Sequence, residues 1–223
     1  MAIVRDIKAE IDPQEIIDLI EQRQKRPVPQ AWRQVIDEAL VEARALVEPA
    51  IVYDVFPVVS AGSSALTVGD GIVLESPVVA SLFGGAPEVV LMAFTIGRKL
   101  EDRVDELSKG SDVILSFTLD IIGSLAVANL GKGAYALIEG LAAQRNTKAS
   151  IPLNPGTTHW PMSGQRVIAE AVGAGEAGIE AMESDVLRPF KTLSFAVALG
   201  DNVITPAEGS SCDYCENRDA CRF

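Results

Sequence analysis

The sequence is poor in the side chains that most often perform catalysis. Its 223 residues contain one histidine and three cysteines, and only 5% of them are aromatic. It also lacks the G-x-S-x-G turn of serine hydrolases and the G-x-x-x-x-G-K-[ST] loop that holds nucleotide phosphates. These absences argue against an independent hydrolase or kinase.

Positive charge is also scarce. Nineteen Lys and Arg residues stand against 31 Asp and Glu residues, which leaves a net charge of -12. A nucleic acid or an anionic membrane would have to approach this protein against its mean electrostatic field. We therefore expect neither as a partner.

No segment has the pattern of a secretory signal or a clear membrane span. Residues 1–8 lack a basic region followed by an apolar run, so we expect a cytoplasmic protein. The most apolar segment, residues 113–130, contains Asp120 and Asn129 among several hydroxyl side chains. Polar groups at this density are costly in lipid, and the pattern predicts a buried helix instead.

The remaining composition is that of an ordinary globular protein, with 48% hydrophobic and 22% charged residues. We find no internal repeat and no linker long enough to require two large domains. The sequence predicts an N-terminal helical segment, residues 1–49, packed on a main α+β domain of residues 50–206. A cysteine-rich tail, residues 207–223, follows.

Local patterns predict helices first. Asp12, Pro13 and Glu15 have the spacing of a helix N-terminus, which predicts a helix to about Gln24. Residues 32–47 carry apolar side chains at steps of three and four, as in a second amphipathic helix.

Strands mixed with helices follow. Residues 51–59 are β-rich, and residues 69–71 are the turn of a predicted hairpin. Residues 89–94 form the continuous apolar run of a central strand buried on both faces. Residues 193–199 alternate large apolar side chains with Ser or Ala, which predicts one packing face and one shallow face. This order of elements favours an α+β or mixed α/β domain.

All three cysteines, Cys212, Cys215 and Cys221, form a C-x2-C-x5-C array. In a reducing compartment an odd, clustered set fits metal binding better than disulfides. Three thiolates suit a 4Fe-4S cluster with one open iron, or a zinc ion completed by a fourth residue, for which His159 is a candidate. The alternative is a tail of reduced thiols.

Four segments resemble a known family. Residues 154–165, N-P-G-T-T-H-W-P-M-S-G-Q, are similar to the S-P-G-Y-x-x-W-P-x-x-x-Q segment of the activation domain of vitamin B12-dependent methionine synthase and its stand-alone relatives. Residues 92–100, 119–124 and 189–194 resemble three further segments of that family in the same order. The resemblance covers roughly residues 50–223, and stand-alone relatives often end in a similar Cys-rich tail.

This resemblance implies a helmet-like α+β fold, with a central, mainly antiparallel sheet flanked by helices. It also implies an accessory or reactivation factor that binds S-adenosylmethionine and docks on a corrinoid-binding protein or methyltransferase. There it would support reductive methylation of the partner's corrinoid by holding the methyl donor in place.

The expected ligand site is a cleft between the loop 152–160 and the strand 192–199. Its expected ligand-binding residues are Asn154, Pro155, Gly156, Thr157, His159, Trp160, Asp120, Lys191 and Ser194.

The sequence departs from the family pattern at three places. A glutamate that commonly follows the L-D-x-x-G-S segment is missing in residues 127–129. Pro152 stands where the family has an arginine for the ligand carboxylate, and Thr157 replaces its tyrosine. Losing a charge-assisted contact of that kind weakens binding by about 1.5–3 kcal/mol. The alternatives are therefore a non-catalytic metal-binding or electron-transfer module that has lost S-adenosylmethionine binding, and a relative whose role no longer involves corrinoids.

Overall fold

A computed structural model describes residues 1–216 and residue 218 of the chain. The helices and strands are β1 (Ala2–Val4), α1 (Pro13–Gln24), α2 (Gln30–Leu46), β2 (Ala50–Ala61), β3 (Ala65–Val68), β4 (Ile72–Glu75), α3 (Pro77–Phe83), β5 (Glu88–Thr95), α4 (Lys99–Ser108), α5 (Val113–Gln144), β6 (Lys148–Ala149), α6 (Ser163–Ala171), β7 (Glu180–Ala181), β8 (Leu187–Arg188) and β9 (Thr192–Gly200). Short 3-10 turns lie at Ala174–Ala177 and Ser211–Tyr214. The predicted mixture of helices and strands is confirmed.

The main sheet is antiparallel in all of its described pairings and has the strand order β4-β3-β2-β5-β9-β6, with β1 also paired to β2. Strand β2 is long and irregular between Val58 and Ser60. Its first half therefore pairs with β1 and β5, and its second half pairs with β3. This curled sheet is the central antiparallel sheet that the sequence analysis predicted.

Side-chain caps set where two of the helices begin. The Asp12 carboxylate accepts the Gln14 N–H at 2.8 Å, and Pro13 occupies the first turn of α1. The Ser76 hydroxyl accepts the Val79 N–H at 3.1 Å at the start of α3. Such bonds satisfy N–H groups that have no partner within the helix, and the predicted start of α1 is confirmed.

Strand β5 has a helical layer on each side of it. On one face, Val89, Leu91 and Ala93 pack in a core that includes α3, α6 and the 174–177 turn. On the other face, Val90, Met92 and Phe94 pack against α5. A third apolar cluster joins α1, α2 and α4 to the first half of α5.

Strand β9 has the same two-sided burial, so the prediction of one shallow face was wrong. Phe195, Val197 and Leu199 pack on the α5 side. The small side chains of Ala196 and Ala198 belong to the core on the α6 side and are fully buried. Small side chains let the overlying segments approach closely, which fills the expected cleft.

The N-terminal segment contributes a strand as well as helices. Residues Ala2–Val4 pair with β2 in the register Ile3 to Val52, and α1 and α2 pack against α5. This strand was not predicted from the sequence. Three residues are too few to show the alternation of a strand, and this strand forms because its backbone pairs with β2.

Helix α5 is long and apolar enough, by length and composition, to cross a membrane, and it is the one described helix that passes that test. Half of its most apolar stretch is buried inside the protein. One side packs on the sheet and another packs on α2 and α4. These contacts agree with the predicted buried helix.

Two substitutions on α5 test this packing. Leu119 is fully buried and Val113 is 64% exposed. We expect Leu119→Ala to lower the free energy of unfolding by about 2–5 kcal/mol, and Val113→Ala to change it by less than about 0.5 kcal/mol. Urea denaturation of the purified proteins measures both, and equal effects would contradict this packing.

Candidate functional site

The predicted ligand loop runs along the edge of β9 that lies opposite β5, and not over the face of the strand. Ser150 N donates to Ala198 O at 2.9 Å, and Leu153 and Ala196 exchange two backbone hydrogen bonds. Asn154 Nδ2 then donates to Ser194 O at 3.0 Å. The loop therefore extends the sheet by edge pairing as far as Asn154 and turns away after it.

Two buried side chains anchor the far end of this loop. The Ser76 hydroxyl, which caps α3, donates to His159 O at 2.7 Å. Trp160 is 1% exposed and lies in the core on the α6 side. A Cβ added at Gly164 would overlap the Trp160 indole, so the close approach of α6 requires glycine. Trp160 therefore holds the loop in place and has no exposed ring face on which a ligand could stack. Pro155, at the start of the loop, is also buried.

Between these anchors the loop has an exposed tip of three residues, Gly156, Thr157 and Thr158. Gly156 has a φ of +85°, a conformation that favours glycine. The Thr157 hydroxyl donates to Asn154 O at 2.9 Å and closes the turn. The tip presents backbone and small polar groups to solvent.

His159 is buried as a neutral ring with one open acceptor. Because the Thr157 hydroxyl already donates to Asn154, it accepts from His159 Nε2 at 3.1 Å. The network thus assigns the proton to Nε2 and leaves Nδ1 as an acceptor. Nδ1 is buried and has no partner among the described residues. Burial also lowers the pKa of His159, since an imidazolium there would lose its hydration.

Two buried hydroxyls share this condition. Thr192 Oγ1 and Ser194 Oγ have no hydrogen-bond partner in the described part of the chain. They stand two residues apart and so face the same side of β9. Buried polar groups are ordinarily hydrogen-bonded, and the described chain has only three such side-chain atoms, these two and His159 Nδ1. Ser194 and His159 were predicted from the sequence, but Thr192 was missed. The alternation along β9 could have identified it, because Thr192 lies two residues before Ser194 and on the same face.

Asp120 and Lys191 form a separate cluster on the α5 side. Lys191 Nζ lies 2.6 Å from Asp120 Oδ1 and donates to Ser124 Oγ at 2.9 Å. The Lys191 carbonyl accepts from Thr95 Oγ1 at 3.3 Å. The sheet separates this ion pair from the core that holds Trp160. The structure therefore does not bring these two predicted residues to the loop, and they fix the start of β9 instead.

A second ion pair, between Glu101 and Arg188, involves the segment that precedes β9 and was not predicted from the sequence. Glu101 is 8% exposed, and its carboxylate lies 2.6 Å from Arg188 Nη1 and accepts the Phe190 N–H at 2.6 Å. Arg188 also stacks on the Phe190 ring. Glu101 stands in a run of charged residues, where no pattern marks it as buried.

The cysteine tail lies on the loop tip. Thr158 Oγ1 donates to Cys215 Sγ at 3.5 Å and accepts the Glu216 N–H at 3.2 Å. Cys212 is exposed, whereas Cys221 lies outside the described residues. Within residues 1–216 and 218, no three His, Cys, Asp or Glu side chains are placed to hold a metal ion. The predicted three-sulfur site, which includes Cys221, stays a prediction.

The loop region is closed over its unpartnered atoms. Five surface cavities of the described chain are lined by residues outside 154–160. His159 Nδ1 and the Ser194 hydroxyl have almost no exposed surface. A ligand that reached them would have to displace part of the structure around them.

Comparison with solved structures defines the class of fold, a curled antiparallel sheet between helical layers. A crystal structure titled as the MetH reactivation domain bound to AdoHcy superposes with a TM-score of 0.67 at 13% sequence identity, over 90% of this chain and 78% of that chain. No protein-family profile matches the sequence, and no curated protein matches it either. The chain thus has the fold of the MetH reactivation domain, which confirms the predicted helmet-like fold class.

The buried histidine makes stability depend on pH. Folding lowers the pKa of His159 below its ordinary 6.5, so the unfolded chain binds the proton more readily. The contribution of neutral His159 is therefore complete above about pH 6.5 and is lost as the pH falls toward the folded pKa.

We expect acidification from about pH 8 to about pH 5 to destabilise the wild type more than His159→Gln, which keeps the donor to Thr157 but does not titrate. Urea unfolding of both proteins across this range measures the difference. Parallel pH curves would contradict the assignment of a neutral, buried ring.

Proposed function

We propose that this protein is an accessory factor for a corrinoid-dependent methyltransferase and that it binds an S-adenosyl compound at the 154–160 loop. The observation that carries the proposal is the fold, which over 90% of this chain matches a domain solved with AdoHcy. The loop segment at residues 154–165 supports the same assignment, because it is one of four segments, in the same order, in which the sequence resembles that family.

The ligand would complete the hydrogen bonding of the loop region. His159 Nδ1 needs a donor, and the hydroxyls of Thr192 and Ser194 take either role. An S-adenosyl compound carries amino and hydroxyl donors together with ring-nitrogen acceptors, so it matches these needs chemically. Moving the Gly156–Thr158 tip would open access to them.

Electrostatics favours the methylated form of the ligand over the demethylated one. The chain carries a net charge of -12, and residues 150–165 contain no Lys or Arg. A sulfonium cation is therefore attracted by the mean field, whereas the ligand carboxylate finds no cation in the loop. We expect S-adenosylmethionine to bind, but more weakly than where an arginine holds the carboxylate.

The chain's part in the reaction would be positional. The bound ligand supplies the methyl group that the partner's reduced corrinoid accepts, while a separate reductant supplies the electron. This chain would hold the donor at a fixed place on the edge of β9, where Asn154 and Trp160 restrain the loop. Asp120 and Lys191 would act indirectly, by fixing the start of β9.

Ser194→Ala tests the ligand site with two opposite readouts. Since the Ser194 hydroxyl is buried without a partner, its removal should leave the ligand-free protein as stable as before or more so. The affinity for S-adenosylmethionine should fall about fivefold, the worth of roughly one hydrogen bond. Calorimetry and thermal unfolding measure the two quantities.

Ser63→Ala, at an exposed position beside the hairpin, is the matched control and should change neither quantity. Absence of heat with both S-adenosylmethionine and S-adenosylhomocysteine at millimolar concentration would end the proposal. An unchanged affinity for S-adenosylmethionine in Ser194→Ala would show that the ligand binds away from β9.

A second candidate is a metal-binding or electron-transfer tail, alone or together with the ligand site. The contact of Cys215 and Glu216 with Thr158 favours it, because it places the tail on the ligand loop. Cys212 and Cys215 have the C-x2-C spacing with which two thiolates reach one metal. Cys221 would supply the third sulfur.

Anaerobic purification followed by elemental analysis and an absorption spectrum tests the tail. We expect about one zinc or about four iron atoms per chain, and loss of the metal in Cys212→Ser. Thr158→Val, which removes the contact with the tail but no sulfur, should keep it. A colourless wild-type protein with neither iron nor zinc would contradict this second candidate.

A further inference from the structure

We propose that a groove between α2 and the first turn of α5 docks an acidic amphipathic helix of a partner protein. The groove has a volume of about 620 Å³, and its walls include Trp32, Val35, Ile114 and Phe117. It shares no lining residue with the 154–160 loop or the tail. The inference is therefore independent of the proposed ligand site.

The groove exposes an unusual amount of apolar surface. Val113, Ile114 and Phe117 are 64%, 56% and 39% exposed, and they stand together on the first turn of α5. Large apolar side chains exposed singly are ordinary, but a contiguous patch of them marks an interaction surface. Val41, which is 70% exposed on α2, lies outside the groove and is such a single residue.

The floor of the groove is held in shape before any partner arrives. The Trp32 indole N–H donates to Thr118 Oγ1 at 2.9 Å, so its polar atom is satisfied. The Trp32 ring packs against Phe117 with centroids 6.0 Å apart. A surface whose aromatic side chains are already positioned loses little conformational entropy when it binds.

One charged side chain, that of Arg26, lines the groove, and it is positive in an otherwise acidic protein. Arg23, Lys25 and Arg26 are exposed at the end of α1, and Arg26 lines the groove itself. None of the three forms an ion pair with a residue that the structure describes. Glu21, the nearest acid in sequence, is already paired with Arg33 at 3.3 Å. The charge at this end of the groove is therefore positive, whereas the net charge of the chain is -12.

The shape and charge together select the occupant. An amphipathic helix places apolar side chains into a groove at i, i+3, i+4 and i+7, and a carboxylate beside them would face Arg26. A flat bilayer would not fill a concave groove, and an anionic one would be repelled by the net charge. We therefore assign the groove to an acidic helix and not to a membrane surface.

Two designed peptides test the assignment with the full chain. Both are helix-forming, carry Leu at the four groove-facing positions and bear a fluorophore; one has Glu and the other Lys at every flanking position. We expect the Glu peptide to bind, and the Lys peptide to bind at least about tenfold more weakly. Fluorescence anisotropy measures both affinities. Because Trp160 is buried, a change in tryptophan emission reports on Trp32.

Variants locate the binding surface. Phe117→Ser should lower the affinity for the Glu peptide about tenfold, as expected for a central apolar contact. Val41→Ser should leave this affinity unchanged. Arg26→Glu should lower the affinity for the same peptide and reduce the salt dependence of its binding. Circular dichroism melts establish that each variant is folded.

Four results would overturn the proposal: no binding of the Glu peptide, equal binding of both peptides, an unchanged affinity in Phe117→Ser, or capture of the chain by phosphatidylglycerol vesicles that Phe117→Ser abolishes. A wild-type dimer in sedimentation that Phe117→Ser converts to a monomer would also overturn it, because a second copy would then occupy the groove.

Discussion

Strand β9 is paired along both of its edges, and the candidate site depends on that double pairing. On one edge it runs against β5 in unbroken register from Thr192 to Leu199. On the other edge it accepts β6 and then the chain from Ser150 to Asn154. Because a buried backbone must keep its hydrogen bonds, the first part of the loop cannot leave the strand. Only the exposed tip, Gly156 to Thr158, is free to respond to a ligand.

The same strand separates two kinds of polar chemistry. Lys191 and Asp120 are paired on the α5 side, and they stabilise the strand where it starts. On the α6 side, the hydroxyls of Thr192 and Ser194 are buried without partners, as is His159 Nδ1. Each unsatisfied buried group costs about 1–3 kcal/mol, which is considerable beside a total stability of about 5–15 kcal/mol. A ligand that satisfied them would recover part of that cost as binding free energy.

Much of the fold could be predicted because its signals are local. The Asp12 cap, the hairpin at residues 69–71 and the apolar run of β5 each depend on neighbouring residues, and the structure has all three. Strands β1, β6, β7 and β8 span two or three residues each, and they exist only through pairing with distant segments. The predicted site was split for a similar reason. A resemblance of segments could name Asp120 and Trp160 together, but only the folded sheet places them on opposite sides of it.

The central claim is that the loop on the edge of β9 opposite β5 holds an S-adenosyl ligand. Hydrogen–deuterium exchange with and without S-adenosylhomocysteine tests it most directly, because it locates the ligand along the backbone of the unmodified chain. The account predicts slower exchange at residues 154–160 and at the start of β9, with residues 113–120 unchanged. Protection confined to other segments, at a ligand concentration that saturates binding, would contradict it.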